Sequence, residues 1–119
     1  MGRRDKLVPK VMFTAMQQLE QNCGTLDVAT LRQKVEQHTN LDAGDMVILP
    51  HGPSRWRSAL ERYSHEYVKA QLITKDRGRW SITTQGINAL SGGESTAFDI
   101  ARGAYNRWKK RNRRESHKS

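Results

Sequence analysis

Met12, Ala15, Met16 and Leu19 fall at i, i+3, i+4 and i+7, the spacing that gathers apolar side chains on one face of an α-helix. Pro9 suits a first helical turn, where its missing N–H has no acceptor to disappoint, so the pattern predicts a first helix over 8–22, behind a short basic arm of Arg3, Arg4 and Lys6. Asn22, Cys23 and Gly24 end it. Residues 25–28 alternate apolar and polar, as a small edge strand does, and from Ala29 the pair Leu31 and Val35 returns to helical spacing. Residues 39–53 mix the apolar run from Met46 to Leu49 with Gly44, Pro50, Gly52 and Pro53 and suit a connector with one helical turn.

After Pro53 the periodicity is again helical. Trp56, Leu60, Tyr63 and Tyr67 recur at i, i+4, i+7 and i+11, with Ser54 placed as an N-cap and the helix running to Ala70. Its other face carries Arg55, Arg57, Ser58, Arg62, Ser64 and His65, with Glu61 as a nearby acid. Two strand-like runs, 71–74 and 80–83, flank Lys75, Asp76, Arg77, Gly78 and Arg79, which is hairpin-loop chemistry with cations at its tip. Thr84 is placed to cap a short helix through Leu90, and Ser91, Gly92 and Gly93 interrupt the chain. Phe98, Ala101, Tyr105 and Trp108 then mark a C-terminal amphipathic helix that fades into a basic tail. The expected fold is α+β, a winged helix-turn-helix of three helices and a hairpin wing with an added C-terminal helix; the division is 1–93 for the winged helix and 94–119 for the helix and tail.

Charge turns this order of elements toward a partner. The 119 residues hold 21 Lys and Arg against 12 Asp and Glu, a formal charge of +9 that attracts polyanions. The lone cysteine excludes an intramolecular disulfide and a cysteine-built zinc cluster, which fits a reducing, cytoplasmic home. No apolar run approaches the length of a membrane span, and the N-terminus lacks a signal-peptide core. His38, His51, His65 and His117 are scattered without a carboxylate or cysteine at ligand spacing, and no nucleophile–base order or phosphate loop can be assembled. The expectation is therefore no metal, no cofactor and no catalysis.

The stretch PHGPSRWRSALERYSHEYVKAQLITKDRGRWSITTQGINAL, from Pro50 to Leu90, resembles the winged-helix domain at the N-terminus of Mrr-type, modification-dependent restriction proteins. The likeness rests on the Arg-containing helix ending in Lys69 and Ala70, the Leu72–Ile73 strand, Arg77-Gly78, Trp80, Ile82, Thr83 and Gly86, and departs at Gln71, where the pattern calls for a glycine. The resemblance implies a reader of double-stranded DNA, with modified bases such as N6-methyladenine among its possible targets. Residues after 91 lack the length and acids of that family's nuclease domain, so it implies a reader without its cutter, either separated from a longer nuclease or acting alone as a regulator.

On this reading Ser54, Arg55, Trp56, Arg57, Ser58, Arg62 and His65 face the major groove; Lys75, Arg77, Gly78 and Arg79 form the wing; Arg3, Arg4, Lys109, Lys110, Arg111, Arg113 and Arg114 clamp phosphates. Trp56 and Trp80 have two readings, core or base contact, with Trp56 the candidate to hold a base methyl. The C-terminal helix either packs back on the domain or forms a homodimer seam, and packing is preferred. The rival function is a winged helix that binds a protein partner through its basic surface.

Overall fold

The computed structural model describes residues 3–50 and 52–118, with side chains placed for 7–50 and 52–112. Arg3, Arg4 and Lys6, like Arg113, Arg114, His51 and His117, therefore have side chains outside the described residues. The elements are α1 (Arg3–Gln21), β1 (Thr25–Asp27), α2 (Val28–His38), α3 (Arg55–Lys69), β2 (Ile73–Asp76), β3 (Arg79–Ile82), α4 (Thr84–Ser91) and α5 (Glu94–Lys118). The strands form one antiparallel sheet in the order β1-β3-β2. The chain is thus α+β, with five helices and a three-stranded sheet among the described residues, an order compatible with a winged-helix arrangement.

α1 is the spine. It packs against α2, α3, α4, α5 and the sheet, and buries Leu7, Val8, Val11, Met12, Ala15, Met16 and Leu19. It begins five residues before the expected start, so Pro9 lies inside the helix rather than in its first turn. The pyrrolidine ring gives Asp5 no i→i−4 donor, and burial of Leu7, Val8 and Val11 around the proline offsets that loss. α2 starts one residue early as well, because Asp27 caps it: its carboxylate accepts from Thr30 N at 3.0 Å and Thr30 Oγ1 at 2.7 Å. Those two hydrogen bonds hold the Asp27 carboxyl below the usual carboxylate range.

Two caps differ from expectation. Ser54 has the extended N-cap backbone of α3 but its hydroxyl makes no cap bond; the connector supplies the acceptors, with Arg55 N donating to Val47 O at 2.8 Å and Trp56 N to Asp45 O at 2.9 Å. At α4 the cap is Thr83, not Thr84: Thr83 Oγ1 accepts from Gly86 N at 2.9 Å. α5 also continues as helix to Lys118 where a fading tail was expected. It packs on α1, α3 and α4 and buries Ala97 and Ala101, the preferred alternative.

The departure from pattern at Gln71 is resolved by its backbone. Gln71 adopts φ 67°, the left-handed conformation a glycine would take, and closes α3 through Gln71 N to Val68 O at 2.9 Å and Leu72 N to Tyr67 O at 3.0 Å. A side chain there costs about 1–2 kcal/mol of backbone strain, against about 0.5–1 kcal/mol of extra unfolded-chain entropy for glycine. Gln71→Gly is therefore expected to stabilise the fold by about 0.5–1 kcal/mol, read as a higher urea midpoint at unchanged slope; a lower midpoint would mean that the Gln71 side chain matters more than its backbone.

Candidate nucleic-acid interface

The β2–β3 hairpin is tighter than the five-residue loop expected. Its strands pair up to Asp76 and Arg79, leaving a two-residue turn in which Arg77 has φ 51° and Gly78 φ 80°. Positive φ at both positions defines the type I′ turn that matches the twist of a hairpin, and Asn or Gly is the usual first residue. An arginine held there costs on the order of 1 kcal/mol. Arg77 and Arg79 are exposed at the tip.

Lys75 is engaged differently. It sits in β2 opposite Trp80, one pair below the turn-flanking Asp76–Arg79 pair, and its Nζ donates to Ser64 Oγ at 2.6 Å and lies 4.4 Å from the centre of the Trp80 ring. Burial lowers its pKa from the ordinary lysine range, and the Glu61 carboxylate raises it in part. Ser64, expected on the polar face, is fully buried and serves as the Lys75 acceptor. Lys75 thus ties the hairpin to α3 rather than extending from its tip.

On α3, Arg55, Arg57, Arg62 and His65 are exposed and Ser54 and Ser58 half-buried. Trp56 is 4% exposed and Trp80 likewise, so both rings belong to the core, although Trp56 also lines the groove beside Arg57. The three arginines do not share one face. At 100° per residue Arg55 and Arg62 lie about 20° apart, and Arg57 about 140–160° from them. The surroundings agree: Arg55 and Arg62 line a cleft of about 240 Å³ against α1 and the connector, whereas Arg57 lines a groove of about 220 Å³ against Ala29, Arg32, Gln33 and Glu36 of α2. Between these edges stand Ser58, Glu61 and His65.

Two cations join this surface that periodicity did not single out. Arg32 of α2 pairs with Glu61, and Arg102 of α5 with Glu66 at 3.0 Å. Neither partner is near in sequence, so only the fold reveals them. The Arg32 pair removes most of the negative field that Glu61 would otherwise place at the centre of the exposed arc. Lys109, Lys110 and Arg111 are exposed on α5, whose Tyr105 meets His65 edge-on at 6.5 Å and whose Trp108 lies under Lys69 at 4.6 Å. The chain's C-terminal cations thus begin beside the C-terminal end of α3.

Among the described residues no group of three or more His, Cys, Asp or Glu is placed to hold a metal ion, and no helix is long and apolar enough to cross a membrane. Comparison with protein-family models, with curated proteins and with solved structures found no match.

Proposed function

We propose that the chain is a winged-helix module that binds double-stranded DNA, with α3 entering the major groove and the β2–β3 hairpin acting as the wing. The observation that carries this reading is the exposed arc of α3, bounded on one edge by Arg57 and on the other by Arg55 and Arg62, beside a hairpin tip that displays Arg77 and Arg79. A helix of about 10–12 Å diameter fills a major groove about 12 Å wide, so cations on its two edges meet the phosphate walls while the middle of the arc faces the bases. The arginines then supply affinity and register, and Ser58, Glu61 and His65 are the base-facing side chains. This moves the base-reading role from the arginines, where sequence alone placed it, to the residues between them. Arg77 and Arg79 meet the backbone or an adjacent minor groove, and Lys109, Lys110 and Arg111 add phosphate contacts along α5.

The likeness of residues 50–90 to the Mrr-type domain adds modified-base recognition, N6-methyladenine included, as the finer part of the proposal, with a nuclease subunit or domain as its effector. Trp56 is 4% exposed and lines the groove beside Arg57, so in this reading the preference resides in the base-facing middle of the arc, where His65 supplies the exposed ring.

Fluorescence anisotropy at two salt concentrations, with duplexes that are unmodified, N6-methylated on adenine or modified on cytosine, tests both parts. Binding through six or more phosphates should weaken about 10³-fold between 50 and 200 mM salt. Arg57→Glu combined with Arg62→Glu should remove binding to every duplex, while His65→Ala should change the ranking among duplexes more than the mean affinity. Absence of binding at low salt sinks the DNA reading; equal affinity for all three duplexes sinks the modified-base part alone.

A further inference from the structure

The connector displays apolar side chains to solvent. Met46 is 41%, Val47 46% and Ile48 69% exposed, three consecutive residues in one short segment. The segment is not slack. Its buried Asp45 accepts from Lys10 Nζ at 2.8 Å and from Asp42 N at 3.0 Å, its Asp45 and Val47 carbonyls cap α3, and Ile48 forms a β-bridge with Ser54. The backbone is therefore held in place by its own bonds while the apolar side chains are left uncovered.

The run continues into Leu49, which lines the cleft of about 240 Å³ together with Leu7 and Val8 of α1 and Ala59 and Tyr63 of α3. Arg55 and Arg62 line it, and among the described residues no carboxylate does. An apolar, concave centre with an arginine rim, next to a contiguous exposed apolar run, has the anatomy of a protein-docking surface rather than of scattered surface residues. We propose that this cleft, together with Met46, Val47 and Ile48, docks an acidic amphipathic segment of a partner protein. Apolar side chains of the segment enter the cleft, and its carboxylates pair with Arg55 and Arg62.

Charge complementarity selects this occupant. A second copy of a chain of formal charge +9 is repelled at a rim that is already cationic. Duplex DNA matches the charge but offers little apolar surface beyond thymine methyl groups, and would leave Ile48 against polar atoms. Because Arg55 and Arg62 also bound the proposed DNA-reading arc, the segment and DNA exclude one another, so the partner would regulate DNA binding rather than add to it.

Selection of random 12-residue peptides displayed on phage against the full chain, with counter-selection on the Ile48→Ser/Arg62→Glu double variant, tests the proposal. Enriched sequences should interleave large apolar residues with Asp and Glu. A synthetic peptide from the enriched set should shift backbone amide resonances at 46–49, 55 and 62, lose about tenfold or more in affinity for the double variant, and bind Ile87→Ser, altered at an exposed apolar residue of α4, as it binds the unaltered chain. Ile48 contributes little buried surface, so Ile48→Ser alone should keep the melting temperature and separate lost docking from lost folding. The proposal is overturned by enrichment equal on the chain and the double variant, by enriched peptides that lack acids or map to other residues, by a dimer in light scattering that Ile48→Ser dissolves, or by loss of DNA affinity in Ile48→Ser, which would assign the run to the DNA face.

Discussion

Gly86→Ala is expected to lose about 3 kcal/mol of folding stability or more, and to lower the melting temperature by about 10–15 °C. A Cβ built on Gly86 would stand 2.2 Å from the Leu72 carbonyl oxygen and 2.7 Å from Ile82 Cγ1. The first of these is backbone, at the point where α3 turns into β2, and it is not free to move. Thr83 Oγ1 donates to the Gln71 carbonyl at 2.6 Å, and Thr83 N donates to Leu72 O at 3.1 Å. α4 is thus clamped onto the α3–β2 junction by bonds that a methyl group would have to break. Gly103→Ala provides the contrast: it lies inside α5 with Arg107 Nη1, at 3.5 Å, as its nearest neighbour, so alanine should stabilise by about 0.5–1 kcal/mol. Thermal melts of the two variants check both signs. A Gly86→Ala protein as stable as its parent would mean that α4 is free to shift away from Leu72.

The same junction shows how far the residues could be read in advance. The helical spacing of Met12 to Leu19 and of Trp56 to Tyr67 placed α1 and α3 within a few residues, since burial of those side chains is what makes the helices form. What escaped is what depends on partners far along the chain. Ser54 looks like a cap for α3, yet the acceptors come from Asp45 and Val47, which a local pattern cannot report. Lys75 looks like one more loop cation, and only the fold brings Ser64 and Trp80 under it. The candidate site was legible as a set of cations on α3 and the hairpin; their division between two edges follows from rotation along the helix combined with the positions of α1 and α2. Asp27 escapes for a different reason: residues 25–28 read as a strand alone, although an aspartate three residues before Thr30, at the start of a helical pattern, is a local cap signal.

Arg77 is a position where local preference and function pull apart. A type I′ turn is better served by asparagine or glycine, and the chain keeps an arginine there in a left-handed conformation. Residues that break a local rule tend to stand where something other than stability is selected, and the tip of a hairpin beside an arginine-edged helix is such a place. The strain at Arg77, the neutralisation of Glu61 by Arg32 and the tethering of the hairpin to α3 by Lys75 all act on the surface that the proposed function uses.

The connector carries the other large effect. Asp45→Ala is expected to destabilise the fold by about 2–3 kcal/mol. Removing one member of a buried ion pair costs about 3–5 kcal/mol, reduced here because the Lys10 side chain is 25% exposed and its ammonium can recover water, whereas Asp45 is almost wholly enclosed. The loss should not be confined to stability. The Asp45 carboxylate also holds Asp42 N, and the Asp45 carbonyl caps α3 at Trp56, so a loosened connector frays the first turn of α3, where Arg55 and Arg57 stand. Asp45→Asn keeps the shape and an acceptor for Lys10 while removing the charge, and should lose roughly half as much. Urea titrations rank the three proteins. Hydrogen exchange at the amides of residues 55 and 56 reports the cap, which should open in Asp45→Ala well below the global unfolding free energy. Equal protection of those amides in all three proteins would mean that the connector is held by its backbone bonds alone, with the Lys10–Asp45 pair contributing nothing to how α3 is presented.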